Sequence, residues 1–160
     1  MIRSIAILFF MLILLSSGGC SVYNETSIEK LGGMTVGNGI ALHPKKRFLL
    51  LSRPTAIMAT NGKPHFRIFQ WQYEDGSWCC EKEVPFSSDF TDYHPVFSKN
   101  GKWVYFNSDR PKPGSTLQAE RKDIWRVKYN NGNWGKPEYL AAINTDNQEA
   151  YPTLTHEGTL

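Results

Sequence analysis

The chain repeats itself. Arg67 to Trp78 (RIFQWQYEDGSW) and Asp123 to Trp134 (DIWRVKYNNGNW) lie 56 residues apart, with Ile, Tyr, Gly and Trp identical and Phe69 matched by Trp125. Tyr93 to Lys102 (YHPVFSKNGK) and Ala150 to Thr159 (AYPTLTHEGT) lie 57 apart, with Pro95 over Pro152 and Gly101 over Gly158. Ser52-Arg53-Pro54 matches Asp109-Arg110-Pro111, again at 57, which lays Phe48–Leu51 over Tyr105–Ser108. Three anchors that agree within one residue leave chance a poor explanation. A repeat of this length is one supersecondary unit that cannot bury its apolar faces alone, so neighbouring units must cover each other.

Each unit reads as four short strands. In the second copy Pro95–Ser98 is the first strand, followed by the turn Lys99-Asn100-Gly101-Lys102, since Asn-Gly between apolar runs is a strong hairpin signal. Trp103–Asn107 (WVYFN) is the second strand, and the polar loop Pro111–Lys122 leads to the third, Asp123–Tyr129. There Ile124, Arg126 and Lys128 alternate with Trp125, Val127 and Tyr129, the period of two of a half-buried strand. Asn131-Gly132 turns the chain into Trp134, and Pro137–Ile143 is the fourth strand. No segment after Cys20 carries a helical period over three turns. The expected fold class is all-β: a partial β-propeller of about two four-stranded blades plus the opening strand of a third. Propellers close with about 4 to 8 blades, so this sequence is expected to be a piece of a chain of roughly 300 residues. Failing that, the product is expected to self-associate through its open blade edges.

Composition agrees with β structure. Aromatic residues make up 13% of the chain (5 Trp, 7 Tyr, 9 Phe), and 13 Gly and 9 Pro punctuate it. A hydrophobic share of 41% excludes a disordered chain, and a scattered net charge of +3 argues against nucleic acid as partner. Three cysteines make no disulfide framework.

The N-terminus has the order of a secretory signal. Met1-Ile2-Arg3 is a positive start, Ile5–Leu15 an eleven-residue apolar run, and Ser16-Ser17-Gly18-Gly19 a small-residue stretch before Cys20. A membrane-spanning helix needs about 20 apolar residues. The stretch resembles a bacterial lipoprotein signal, although Ser17 stands where that family usually has Leu, and ordinary signal cleavage is the rival reading. The resemblance implies that Cys20 is diacylated and becomes the new N-terminus, and Ser21 in place of Asp implies the outer membrane. Residues 1–19 are thus the signal peptide, 20–34 a polar tether and 35–160 the repeat region.

The repeat region resembles the WD40-like β-propeller repeats of bacterial envelope proteins, of the type in the translocation protein TolB. The strings that carry the resemblance are His94-Pro95-Val96-Phe97-Ser98, Asn100 to Phe106 (NGKWVYF), Ser108-Asp109-Arg110, Asp123-Ile124-Trp125-Arg126-Val127, Trp134-Gly135-Lys136-Pro137, Ile143-Asn144-Thr145 and Glu149-Ala150-Tyr151-Pro152. In the first copy Lys45-Lys46 replaces Gly-Lys, and Ser52 replaces the Asp of Ser-Asp-Arg. The resemblance implies a binding or scaffold module without catalytic residues or cofactor. The expected function is a non-enzymatic, lipid-anchored cell-envelope propeller facing the periplasm or the cell exterior, with a protein, peptide or glycan as ligand. The alternative is an accessory propeller of an envelope enzyme, a peptidase or polysaccharide-acting protein, whose catalytic part lies outside these residues.

Several groups invite chemistry. Cys79-Cys80 read as buried or edge residues before a vicinal disulfide, and zinc lacks a second ligand pair. His43, His65, His94 and His156 share no repeat position, so no ring of metal ligands builds up. Asp109-Arg110 and Asp123 read as local ion pairs that pin the loop to the strand ends. Trp71, Trp103, Trp125 and Trp134 read as blade core before a sugar-stacking platform. The loops Thr55–Phe66 and Lys112–Lys122 fill equivalent slots between second and third strands, so they emerge on one rim, where recognition is expected.

Overall fold

A computed structural model describes residues 23–24, 39–59, 62–155 and 158–160. Cys20, the leader, most of the expected tether and His156 lie outside the described residues. The fold is all-β, and two antiparallel sheets form two blades of a partial propeller. The first sheet holds β1 (Tyr23–Asn24), β2 (Ile40–Leu42), β3 (Phe48–Met58), β4 (Pro64–Glu74) and β5 (Ser77–Glu83) in the order β1-β5-β4-β3-β2. The second holds β6 (Asp92–Phe97), β7 (Trp103–Ser108), β8 (Asp123–Asn130) and β10 (Glu138–Tyr139) in the order β10-β8-β7-β6, with β9 (Asn133–Trp134) also on β8. Within the segment expected as a tether, β1 pairs with Trp78 and Ser77 of β5 and so covers part of an edge that would otherwise offer unpaired backbone groups.

The blades bury one core between them. Phe48, Leu50 and Ile68 of the first blade meet Phe97, Val104, Phe106, Trp125, Val127 and Tyr129 of the second, with Val84 and Phe86 of the linker filling the seam. The first blade's opposite face carries a smaller cluster of Leu49, Leu51 and Trp71, so alternate residues of β3 serve opposite faces. Trp71 and Trp125 are buried in the core and Trp134 packs against it, while Trp103 is half-buried on the other face of β7 under the Arg126 guanidinium. His43 is a wedge at this seam. Its ring lies 4.7 Å from Phe48, 4.9 Å from Phe97 and 5.5 Å from Tyr129 by centroid. A Cβ on Gly101, in the β6–β7 turn, would come within 2.6 Å of the ring, and Gly101 is at φ +71°, so both space and backbone call for glycine there.

One register expectation is corrected. Ser52 pairs with Ile68 and Asn107 with Ile124, so Ser52 corresponds to Asn107, 55 residues on, and not to Asp109. This places Gly39 over His94, and the chain has a left-handed residue at each: φ is +73° at Gly39, +52° at His94 and +58° at Tyr151. Each such residue stands at the entry to a repeat, and His94 and Tyr151 are each held by the repeat before. The His94 N–H donates to Ser52 Oγ (3.4 Å), and the Tyr151 N–H donates to Asn107 Oδ1 (3.0 Å) while Asn107 Nδ2 donates to the Glu149 carbonyl (2.8 Å). The segment expected as the opening strand of a third blade therefore docks as β6 does, but no described strand lies beside it and it forms no ladder.

Two further expectations are corrected. Thr55–Phe66 is mostly strand: β3 runs to Met58, with a bulge between Met58 and Pro54, which has no N–H to give the ladder, and β4 begins at Pro64. The fourth strand expected at Pro137–Ile143 shrinks to β10. Asn144 takes its place farther along, its Oδ1 accepting from the Ile124 N–H (2.8 Å) and its Nδ2 donating to the Ile124 carbonyl (2.9 Å).

Candidate functional site

The two slots converge on one cleft of about 490 Å³. The β3–β4 hairpin contributes Ala59, Lys63, Pro64 and Phe66, and the loop between β7 and β8 contributes Asp109, Gln118, Ala119, Glu120 and Lys122. Thr91, Tyr93 and His94 at the start of β6 form the floor, and Gln148 and Tyr151 close the far side. The expectation that both slots lie on one rim thus holds, although the first is a hairpin rather than a loop.

Backbone bonds shape the second wall. The Ala119 N–H donates to the Asp109 carbonyl (3.0 Å) and the Glu149 N–H to the Lys122 carbonyl (3.1 Å), which ties the loop to the incoming third repeat. At the base of the loop Arg110 is a bolt that ties the second blade to the linker leading into it. Its Nη2 donates to Asp92 Oδ1 (2.6 Å) and to the Phe86 carbonyl (3.1 Å), and its Nε to Ser108 Oγ (2.9 Å). Asp92 Oδ2 accepts from both the N–H (2.8 Å) and the hydroxyl (2.9 Å) of Ser88, so the buried pair is satisfied on every side. The ion pair expected around Asp109-Arg110 exists, but its acid is Asp92. Asp109 Oδ1 instead accepts from the Thr91 N–H (2.8 Å). Asp123, 1% exposed, faces Lys112 Nζ at 3.5 Å, and burial pushes its carboxyl up against the pull of that ammonium.

Four rings dominate the apolar part. Tyr151 stacks on His94 (centroids 4.4 Å, 27°), His94 meets Tyr93 edge-on (4.3 Å), and Tyr93 meets Phe66 at 6.2 Å. Lys122 Nζ lies 5.0 Å over the Tyr93 ring. Burial first, then Tyr151 and Asp109, push the Tyr93 hydroxyl well above its ordinary range, so it remains a neutral phenol that can donate a hydrogen bond. Tyr151 is 71% exposed and presents its outer face to solvent.

The other candidates scatter. His43 is the seam wedge, His65 is buried in the β3–β4 hairpin, and of the three described histidines His94 alone reaches the cleft. Cys79 is buried with a free thiol, 2.9 Å from Cys80 Sγ, so the two are not bridged to each other. Glu74 lies with them among the described residues, but Cys80 is engaged in a disulfide and has no thiolate to give a metal. Burial first, then Glu74 and Asp75, hold the Cys79 thiol protonated, which opposes metal ligation.

Sequence reading missed Thr91, Tyr93, Gln148 and Tyr151 as site residues, while Phe66 falls in the slot it singled out. The signal was present, since Tyr93-His94-Pro95 and Ala150-Tyr151-Pro152 are repeat anchors and each marks the entry to a unit. The cleft is therefore built from three successive repeats. No protein-family model matches this chain, and neither a curated protein nor a solved structure is significantly similar to it.

Proposed function

We propose that the chain is a lipid-anchored cell-envelope propeller of the WD40-like, TolB-type family, held at the outer membrane by acylated Cys20, which binds a ligand in the interblade cleft without acting on it. The cleft carries this reading, because two slots that the repeat makes equivalent open onto one pocket between blades. Two of its four charged groups hold the walls, Asp109 by Thr91 and Lys122 over Tyr93. The bolt beneath them, Arg110–Asp92, is buried and spoken for. What faces outward is a set of rings, amides and balanced charges, the equipment of recognition.

The test is p-benzoylphenylalanine placed at Gln118, an exposed cleft residue, in the full chain in its own cell. Illumination is expected to yield an adduct with an envelope component. The same group at Asn131, in the turn at the opposite end of β8, is expected to yield none. Equal labelling from both positions, or none from Gln118, overturns the reading. Cys20→Ser is expected to move the protein from the membrane to the soluble fraction, and unchanged fractionation removes the anchor.

A further inference from the structure

We infer that the cleft takes an uncharged saccharide, with the outer face of Tyr151 as the platform on which a sugar ring lies. This rests on the reading of the cleft as a binding site and names its ligand class. Four features of the lining lead there.

The apolar lining is flat. Phe66, Tyr93, His94 and Tyr151 supply rings, the remaining apolar surface comes from Ala59, Pro64 and Ala119, and among the described residues no Leu, Ile, Val or Met lines the cleft. A peptide bound as an added strand needs pockets that enclose alternate side chains. A sugar ring offers instead a planar patch of C–H groups that lies against an aromatic face.

The platform is preset. Stacking on His94 fixes the Tyr151 ring from behind, and the Asn107 bond to the Tyr151 N–H fixes its backbone. Little side-chain freedom remains to be lost when a ligand settles on the outer face.

Polar groups surround it at the edge. Gln118 and Gln148 each offer an amide that both donates and accepts, Thr91 a hydroxyl, and Tyr93 a phenol kept neutral by its surroundings. Ring hydroxyls, which likewise both donate and accept, suit such groups.

Charge is balanced. Lys63 and Lys122 stand against Asp109 and Glu120, so the cleft has no surplus of either sign to draw a strongly anionic or cationic ligand.

The experiment titrates the full chain in detergent with three neutral probes, a β-1,4-linked N-acetylglucosamine trimer, maltotriose and mannotriose, and with tetra-alanine as the peptide probe. Tyrosine fluorescence and isothermal calorimetry are the readouts. At least one trisaccharide is expected to saturate the protein. Tyr151→Ala is expected to weaken it about tenfold, equivalent to about 1.4 kcal/mol, while Tyr151→Phe retains it. Gln118→Ala, on an exposed loop, is a second variant expected to weaken binding without touching the platform. Saturation by tetra-alanine alone, lost in Tyr151→Ala, overturns the saccharide and leaves the cleft as a binding site. Saccharide binding equal in wild type and both variants overturns the platform. No binding by any probe overturns the saccharide, and if Gln118 also gives no cross-link in the cell, the binding-site reading falls with it.

Discussion

The two blades solve the same problem with different residues. Just past the latch residue of each blade stands an arginine: in the first it is Arg53, inside β3, half-exposed and paired with Glu81 of β5 at 2.6 Å. The second blade has Arg110, buried and paired with Asp92 at the same 2.6 Å. The first pair decorates a hairpin whose strands run on through the slot; the second anchors a loop that has no ladder to hold it. The latches differ likewise. Ser52 holds the next repeat by one long bond, and Asn107 by two short ones. A repeat therefore conserves the task of a position and not its side chain. Where backbone pairing is lost, buried polar bonds replace it.

That contrast sets an order of effects. Asp92→Ala leaves the Arg110 guanidinium buried without its acid and is expected to cost about 3–5 kcal/mol of unfolding free energy in urea titration; a cost below about 1 kcal/mol would place the two arginine pairs on a level. Gly39→Ala comes next, at about 2–4 kcal/mol, because φ is +73° and the new Cβ meets the His94 backbone at 2.8 Å. Gly132→Ala has the same handedness and open space, so its loss is expected to be smaller. Asn107→Ala is expected to cost about 1–3 kcal/mol and Ser52→Ala about 0.5–1.5. The reverse ranking would show that bond number at the latch does not matter. Glu81→Ala, on a solvated pair, is expected to cost only about 0.2–1 kcal/mol, and less as salt is raised.

The last effect is pH-dependent and tests the seam itself. Burial first, then Lys46, hold His43 below the ordinary histidine pKa. The folded chain thus binds fewer protons at this site than the unfolded one. The stability this contributes is complete above about pH 6.5 and declines as pH falls below that value. Unfolding free energy measured from pH 7 down to 5.5 is expected to drop, and more steeply in wild type than in His43→Gln. Parallel profiles would mean that the histidine does not titrate at the seam.

The strands with alternating apolar residues were legible in the sequence, because their pattern is local: Trp103–Asn107 and Asp123–Tyr129 fall within β7 and β8. The second-strand register was not. Ser52-Arg53-Pro54 resembles Asp109-Arg110-Pro111 in letters, while the ladder is set by which residues face Ile68 and Ile124. The fourth strand failed for a different reason, since one asparagine side chain can do a strand's hydrogen bonding and Asn144 does it for Ile124. The cleft was half visible. Equivalent slots predict a shared rim, but stacking Tyr151 on His94 joins residues a whole repeat apart, and no local pattern announces such a pair.

The shared core has a consequence for synthesis. Within each sheet, neighbouring strands pair close in sequence, so the first blade's ladder can form as soon as β5 is made. Its inward face cannot be dry until β7 and β8 exist, because Phe48, Leu50 and Ile68 rest on Val104, Phe106 and Val127. At about 5–20 residues per second, a growing chain carries that apolar face uncovered for some seconds. Through that interval the first blade is a sheet with a bare side, open to chaperones and to unwanted partners alike. Safety comes only when the second blade arrives, and the two then unfold, as they matured, together.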